Sequence, residues 1–229
     1  MSVGAIKDGA RETPAPAAGD LGQRPDQQLA HHVTAHVVRL QEGYLANRPQ
    51  AVASLARLRR AVTAEPGSDP SVWFDTFDGF PGNLLGRTDV PSAAERAAHA
   101  AITIYAVHQQ SRIEPMHRKD VSLGAAVRRL GQQTASEEAT LRRFHALGTA
   151  SSLPETMHHL RGLATQLRGA SVALDYGRLA RDLLRLQSPR TSPGVRLEWG
   201  RDYYSSRKSQ TDLPDATTPP TTHTQGDAR

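Results

Sequence analysis

Apolar residues recur along most of this chain with the period of an α-helix. Between Gln27 and Leu45 they fall at Val33, His36 or Val37, and Leu40. After Pro49, a residue suited to a first helical turn, they fall at Val52, Leu55, Ala56 and Leu58. Residues 66–90 break the rhythm. Pro66, Gly67, Pro70, Gly79, Pro81, Gly82 and Gly86 punctuate the segment, while Val72, Trp73, Phe74, Phe77 and Phe80 cluster in it. So greasy a loop is expected to fold back as a plug on the core. Three pairs then predict helix starts by capping box, in which a hydroxyl and the third-position Glu satisfy orphan N–H groups reciprocally. They are Ser92 with Glu95, Thr134 with Glu137, and Ser152 with Glu155. The helices they open carry stripes at Ala98, Ala101, Ile102, Tyr105 and Ala106; at Leu141, Phe144 and Leu147; and at Leu160, Leu163, Ala164 and Leu167. A short helix is expected near Leu123–Leu130. Asp175 is expected to cap another, with Tyr176, Leu179, Leu183, Leu184 and Leu186 inside. A last helix near Val195–Tyr204 presents Leu197, Trp199, Tyr203 and Tyr204. The fold class is therefore all-α, a compact bundle of about eight helices with short connections.

The ends do not share this pattern. Residues 1–25 are rich in Gly, Ala, Pro and charge, and the run Thr217-Thr218-Pro219-Pro220-Thr221-Thr222 cannot build a helix. The expected organisation is a disordered leader over 1–25, a helical domain over 26–206 and a disordered tail over 207–229. The formal net charge is +5 on 229 residues. Lys7, Arg11 and Arg24 balance Asp8, Glu12 and Asp20 in the leader. Arg207, Lys208 and Arg229 balance Asp212, Asp215 and Asp227 in the tail. All of the excess therefore sits in the helical domain. Only Lys7, Lys119 and Lys208 among the 28 basic residues are lysines, which leaves 25 arginines. Arginine offers phosphate a planar five-donor fork.

Catalytic chemistry finds little support. The absence of cysteine excludes disulfides, iron–sulfur clusters and thiol nucleophiles. It also suits a reducing, cytoplasmic compartment. No apolar run approaches the length of a membrane span. His32 and His36 have the i, i+4 spacing that could share a metal, with His31 beside them, but no glutamate follows as in zinc proteases. Core or surface histidines are the plainer reading. Glu137 and Glu138 diverge by about 100° on a helix and form no acid–base pair. No cofactor is implied.

The arginines are more informative. Arg57, Arg59 and Arg60 end one helix, and Arg128 and Arg129 end another, where positive charge complements the helix dipole. Arg142 and Arg143 lie in the N-terminal half of theirs, where it does not. Glu138 can pair with Arg142 at i, i+4, whereas Arg143 faces Ala139 and gains no local ion pair. Arg161 and Arg168 lie seven apart on one face.

Several strings resemble one family. They are the run ending His108-Gln109-Gln110, then His117-Arg118-Lys119, then Val121-Ser122-Leu123-Gly124 through Arg128-Arg129-Leu130. Arg142-Arg143-Phe144, Leu160-Arg161, Leu174-Asp175-Tyr176 and the closing Trp199-Gly200-Arg201-Asp202-Tyr203 follow in order. Together they resemble CasB, the small subunit of the type I-E CRISPR surveillance complex Cascade, over roughly residues 30–206. The resemblance implies an all-helical, non-catalytic protein. Its partners would be the helical-backbone and large subunits, a second copy of itself, the guide RNA–target DNA hybrid and the displaced DNA strand. It would stabilise the R-loop through phosphate contacts on a basic surface. On that reading Arg59, Arg60, Arg128, Arg142, Arg143 and Arg161 occupy the family's basic positions. Arg118, Lys119, Arg129 and Arg168 join them from spacing and charge. Trp199, Tyr203, Phe144 and Leu163 are assigned to the core. The alternative is a helical DNA-binding transcriptional regulator, with Gly131-Gln132-Gln133 as the turn of a helix-turn-helix.

Overall fold

A computed structural model describes residues 24–205. Nine α-helices lie among them: α1 (Pro25–Leu45), α2 (Pro49–Arg60), α3 (Trp73–Phe77), α4 (Ala93–Gln109), α5 (Leu123–Gln133), α6 (Glu137–Thr149), α7 (Leu153–Gly169), α8 (Tyr176–Leu186) and α9 (Ser192–Tyr204). Three short 3₁₀ turns occupy Ala61–Thr63, Pro70–Val72 and Gly82–Leu84. The all-α expectation holds. The expected leader and tail lie outside the described residues, except that Arg24 and Pro25 already begin α1.

The cores of the helices are where the period placed them, and the tertiary arrangement adds what the period could not show. α4 packs against α1, α2, α3, α7 and α8. Every residue from Ala97 to Gln109 is buried, so α4 is a central helix surrounded on all sides rather than one with a single apolar stripe. Its alanines let the neighbours approach closely. Trp199, Tyr203, Phe144 and Leu163 are core residues, at 2%, 4%, 7% and 0% exposure. Leu197 and Tyr204, on the other face of α9, are exposed.

The caps bear out the sequence in part. Ser92 Oγ accepts from the Glu95 N–H at 3.0 Å and Glu95 Oε2 accepts from the Ser92 N–H at 2.6 Å, a complete box. Asp175 Oδ1 accepts from the Arg178 N–H at 3.0 Å. At α7, Ser152 Oγ accepts from the Glu155 N–H, but Glu155 returns to Ser151, one residue earlier. At α6 the expected cap is wrong. Ser136 Oγ, not Thr134, accepts from the first turn at the Ala139 N–H, and Thr134 Oγ1 donates to the Gly131 carbonyl at the end of α5. The Gly131-Gln132-Gln133 turn of the regulator reading is likewise part of α5, whose last residue is Gln133.

The 66–90 segment is a partial plug. Val72, Asp75, Thr76 and Leu84 are buried, and Phe80 meets His32 edge-on at 4.9 Å. Trp73 and Phe74 instead remain 48% and 64% exposed, with the Arg39 guanidinium 4.9 Å from the Phe74 ring centre.

The strings that carry the family resemblance mostly build the interior. Gln109, fully buried, accepts through Oε1 from Tyr105 Oη at 3.2 Å and the Met116 N–H at 3.0 Å. It donates through Nε2 to the carbonyls of Arg112 and Glu114 at 3.1 and 3.0 Å. His108 Nδ1 lies 2.8 Å from Tyr176 Oη. His117 Nδ1 accepts from the Tyr176 N–H, and Asp175 Oδ2 accepts from the Asp120 N–H. These bonds pin the 110–122 loop onto α4 and α8. Gly124 lets α5 cross α9, since a Cβ there would collide with the Trp199 carbonyl oxygen and sit 2.9 Å from the Tyr203 nitrogen.

Candidate nucleic-acid interface

The described arginines divide into neutralised and unneutralised groups. On the α8–α9 face Arg185 grips Glu198 with two bonds of 3.0 Å, and Arg178 meets Asp202 at 2.5 Å. Arg57 reaches the buried Asp75 at 3.6 Å and donates to the Ser71 carbonyl, so it is structural. These guanidiniums already have their counter-charge.

Four of the ten expected cations share one groove. The end of α2 supplies Arg59 and Arg60, α7 supplies Arg161 and Arg168, and Ala56, Val107, Gln110 and Thr165 complete its walls. Among the described residues none of these four arginines lies within ion-pair distance of a carboxylate. Arg168 Nη1 donates to Gln110 Oε1 at 2.8 Å, which fixes its guanidinium without cancelling its charge. Helix geometry explains the α7 contribution. Arg161, Thr165 and Arg168, at i, i+4 and i+7, stand on one face. Thr165 and Gln110 were missed as lining residues. The spacing would have found Thr165, but Gln110 arrives only by the packing of α4.

The other expected positions are dispersed. Arg142 pairs with Glu138 at 2.6 Å, as expected for an exposed i, i+4 pair. Arg143 has a tertiary explanation, which its own helix could not show. Its Nη1 donates to the Ala139 carbonyl at 3.5 Å. The Gln166 amide, with its oxygen turned to the guanidinium, accepts from Nη1 at 3.3 Å and Nε at 3.1 Å. Both partners are neutral, so the charge survives in a second groove between α6 and α7. Arg128 Nη1 donates to the Ser205 carbonyl at the end of α9. Arg129 is exposed near the end of α5, and Arg118 and Lys119 are exposed in the loop before it. The structure does not bring these into the Arg59–Arg168 groove.

The histidine pair is occupied with carbonyls. His32 Nε2 donates to the Thr76 carbonyl at 3.0 Å, and burial pushes its ring down to about 4. His36 Nε2 lies 2.9 Å from the Asp78 carbonyl and Nδ1 3.0 Å from that of Asp75, with Arg39 Nη2 3.1 Å from Nδ1. Among the described residues no group of three or more His, Cys, Asp or Glu could hold a metal ion. None of the described helices is long and apolar enough to cross a membrane.

Residues 54–204 match the family of CRISPR-associated protein Cse2. The chain belongs to the Cse2 (CasB) family. The crystal structure of CasB from Thermobifida fusca is similar at 35% identity with a TM-score of 0.66, covering 78% of this chain and 98% of that one. A Cse2-family protein from Thermus thermophilus shares the fold, at 24% identity and a TM-score of 0.57, over 80% of this chain and 99% of that one. A chain of a CRISPR RNA-guided surveillance complex is 27% identical with a TM-score of 0.60, covering 76% of this chain and 92% of that one. No curated protein sequence matches significantly. Cse2-family membership agrees with the interior described above, where most of the family-like strings are structural. The match begins at Ser54 in α2, so the end of α2 with its arginines lies within it.

Proposed function

We propose that this chain is the non-catalytic small subunit of a type I-E Cascade. It sits beside the backbone and large subunits with a second copy of itself, and its basic surface holds the opened DNA of the R-loop. Family membership and the likeness to a surveillance-complex chain support the setting. The observation that carries the DNA role is the groove in which Arg59, Arg60, Arg161 and Arg168 converge, none of them within ion-pair distance of a carboxylate among the described residues. Replacing a DNA duplex by an RNA–DNA hybrid is nearly balanced in energy, so modest backbone contacts tip it. The guide reads the sequence, and the subunit needs only charge in register with phosphates.

The test is retention of target DNA by the assembled complex as a function of salt. Each phosphate contact to a single strand contributes about 0.7 to the slope of log affinity against log salt. Changing all four groove arginines to Ala flattens the slope by about 3 and leaves the guide RNA content unaltered. Over a fourfold rise in salt the wild type loses about 50-fold more affinity than the variant. Arg142→Glu with Arg143→Glu acts in the same direction through the α6–α7 groove. An unchanged slope in both variants refutes the phosphate role.

A further inference from the structure

Helices α6 and α9 run antiparallel and leave a cavity between them. Near the start of α9, Arg196 Nη2 donates to the Ala150 carbonyl at 3.1 Å, and near its end Tyr203 Oη reaches Glu137 Oε1 at 3.5 Å. Between these contacts lies an opening of about 210 Å³. The buried rings of Phe144 and Trp199 line it, with the exposed Arg196 and Tyr204 at its rim. Gly148 of α6 and Gly200 of α9 line it without side chains. A Cβ added at either glycine meets nothing within 4 Å, so no close approach among the described residues requires them. Glycine weakens a helix relative to alanine because it loses more backbone freedom on folding. Two helices thus give up stability and keep an apolar space open to solvent, which suits a side chain arriving from elsewhere.

The chain continues from the rim of this cavity. Tyr204 ends α9, and the Ser205 carbonyl accepts from Arg128 Nη1, which fixes where residues 206–229 depart. Those residues lie outside the described ones. Their sequence holds a single apolar side chain larger than alanine or proline, Leu213. Pro214 follows it and restricts it to extended backbone, which lowers the entropy lost when the dipeptide is held. Asp212 and Asp215 flank the dipeptide. Arg196 at the rim has no carboxylate within ion-pair distance among the described residues. Reach is ample. The eight residues from Ser205 to Leu213 span up to about 26 Å, against about 12 Å from Tyr204 back to Arg196 along α9.

We propose that the segment Asp212–Asp215 folds back onto α9, placing Leu213 in the cavity between α6 and α9 and its flanking carboxylates at Arg196. The tether selects this occupant over a separate protein. It holds Leu213 beside the cavity at a concentration in the millimolar range. A separate protein docking here would find only the cavity and the exposed Leu197 and Tyr204 beside it, far short of the about 800 Å² per partner of a stable interface. The inference is independent of the nucleic-acid reading of the arginine groove.

The experiment uses the full chain, whose lack of cysteine allows two nitroxides to be placed at will. One goes on Thr149→Cys at the exposed rim, the other on Ala216→Cys, three residues past Leu213. Double electron–electron resonance reads the distribution of distances between them. A single peak is expected, at least about twofold narrower than that of a Thr149→Cys, Thr224→Cys pair, whose second label lies eleven residues past Leu213. Leu213→Ser lies outside the helical domain, leaves its folding intact and broadens the peak to the width of the reference pair. Gly200→Leu fills the cavity and does the same. Equal widths in the two pairs overturn the proposal, as does a narrow peak that survives Leu213→Ser. A narrow peak that survives Gly200→Leu at an unchanged urea midpoint places Leu213 elsewhere and overturns the assignment to this cavity. If the wild-type distribution is broad and Gly200→Leu releases another subunit from the assembled complex, the cavity belongs to that subunit and the proposal falls.

Discussion

Replacing Gln109 by Leu removes the centre of the buried network while nearly keeping side-chain volume. The magnitude follows from the four bonds of that amide. The carbonyls of Arg112 and Glu114 belong to a surface loop and can turn to water, so their loss costs little. The Tyr105 hydroxyl and the Met116 N–H cannot, since those residues are 0% and 1% exposed. Each stranded buried donor costs about 1–3 kcal/mol, which places the variant about 4 kcal/mol below wild type. With a urea dependence of about 2 kcal/mol per molar, the unfolding midpoint falls by about 2 M. Urea titration followed by far-UV circular dichroism reads this directly, and hydrogen exchange at the Met116 amide should accelerate in parallel. Gln110→Leu, one residue along but facing the groove, is the control and shifts stability by no more than about 0.5 kcal/mol. A Gln109→Leu effect below about 1 kcal/mol would show that the 110–122 loop is held by packing and that the network is incidental.

Three further outcomes follow from local geometry. Gly124→Ala should destabilise by about 3 kcal/mol because its methyl meets α9 backbone, whereas Gly162→Ala, with open space around it in α7, should gain about 0.5–1 kcal/mol; thermal unfolding of the pair separates these signs. Ser136→Ala should cost about 1 kcal/mol and Thr134→Ala distinctly less, and equal costs in urea titration would contradict the α6 cap. Burial raises the Asp182 carboxyl to about 6, although Trp199 Nε1 donates to it at 2.8 Å. A raised pKa means that folding favours the protonated acid, so this contribution is full below about pH 4 and lost as pH rises through 6. Wild type should therefore gain up to about 3 kcal/mol on Asp182→Asn between pH 7 and pH 4, and a pH-independent difference in urea midpoints would refute that sign.

The sequence made local features legible and left most tertiary ones hidden. Helix positions, the Ser92 and Asp175 caps and the Arg142–Glu138 pair depend on residues within four positions of one another. The α6 cap failed because two hydroxyls lie two residues apart, and the spacing Thr134–Glu137 matched a box that the backbone of α6 does not use. Arg143 looked unexplained because its partner Gln166 stands on the next helix. The burial of α4 on every side comes from five neighbouring helices, which no periodicity in its own 17 residues can reveal. Trp73 and Phe74 read as plug residues because their neighbours are apolar, yet the one-turn helix they open turns both rings outward.

The same distinction separates recognising the family from locating its site. The strings around His108-Gln109, His117, Gly124 and Asp175-Tyr176 have demanding chemistry because they satisfy buried donors and allow close helix crossings. Such residues identify a fold, and they say nothing about what the surface binds. The groove has the opposite character. Arg59 and Arg60 are separated from Arg161 and Arg168 by about a hundred residues of sequence. Each taken alone could be an ordinary helix-terminal or solvated arginine. Only the packing of α2 and α7 across α4 gathers four commonplace cations, none at ion-pair distance from a carboxylate among the described residues, into one cluster. It follows that the fold and the proposed DNA contacts can be altered independently. Groove variants should change salt dependence at constant stability, whereas Gln109 and Gly124 variants should change stability before any contact with phosphate is involved.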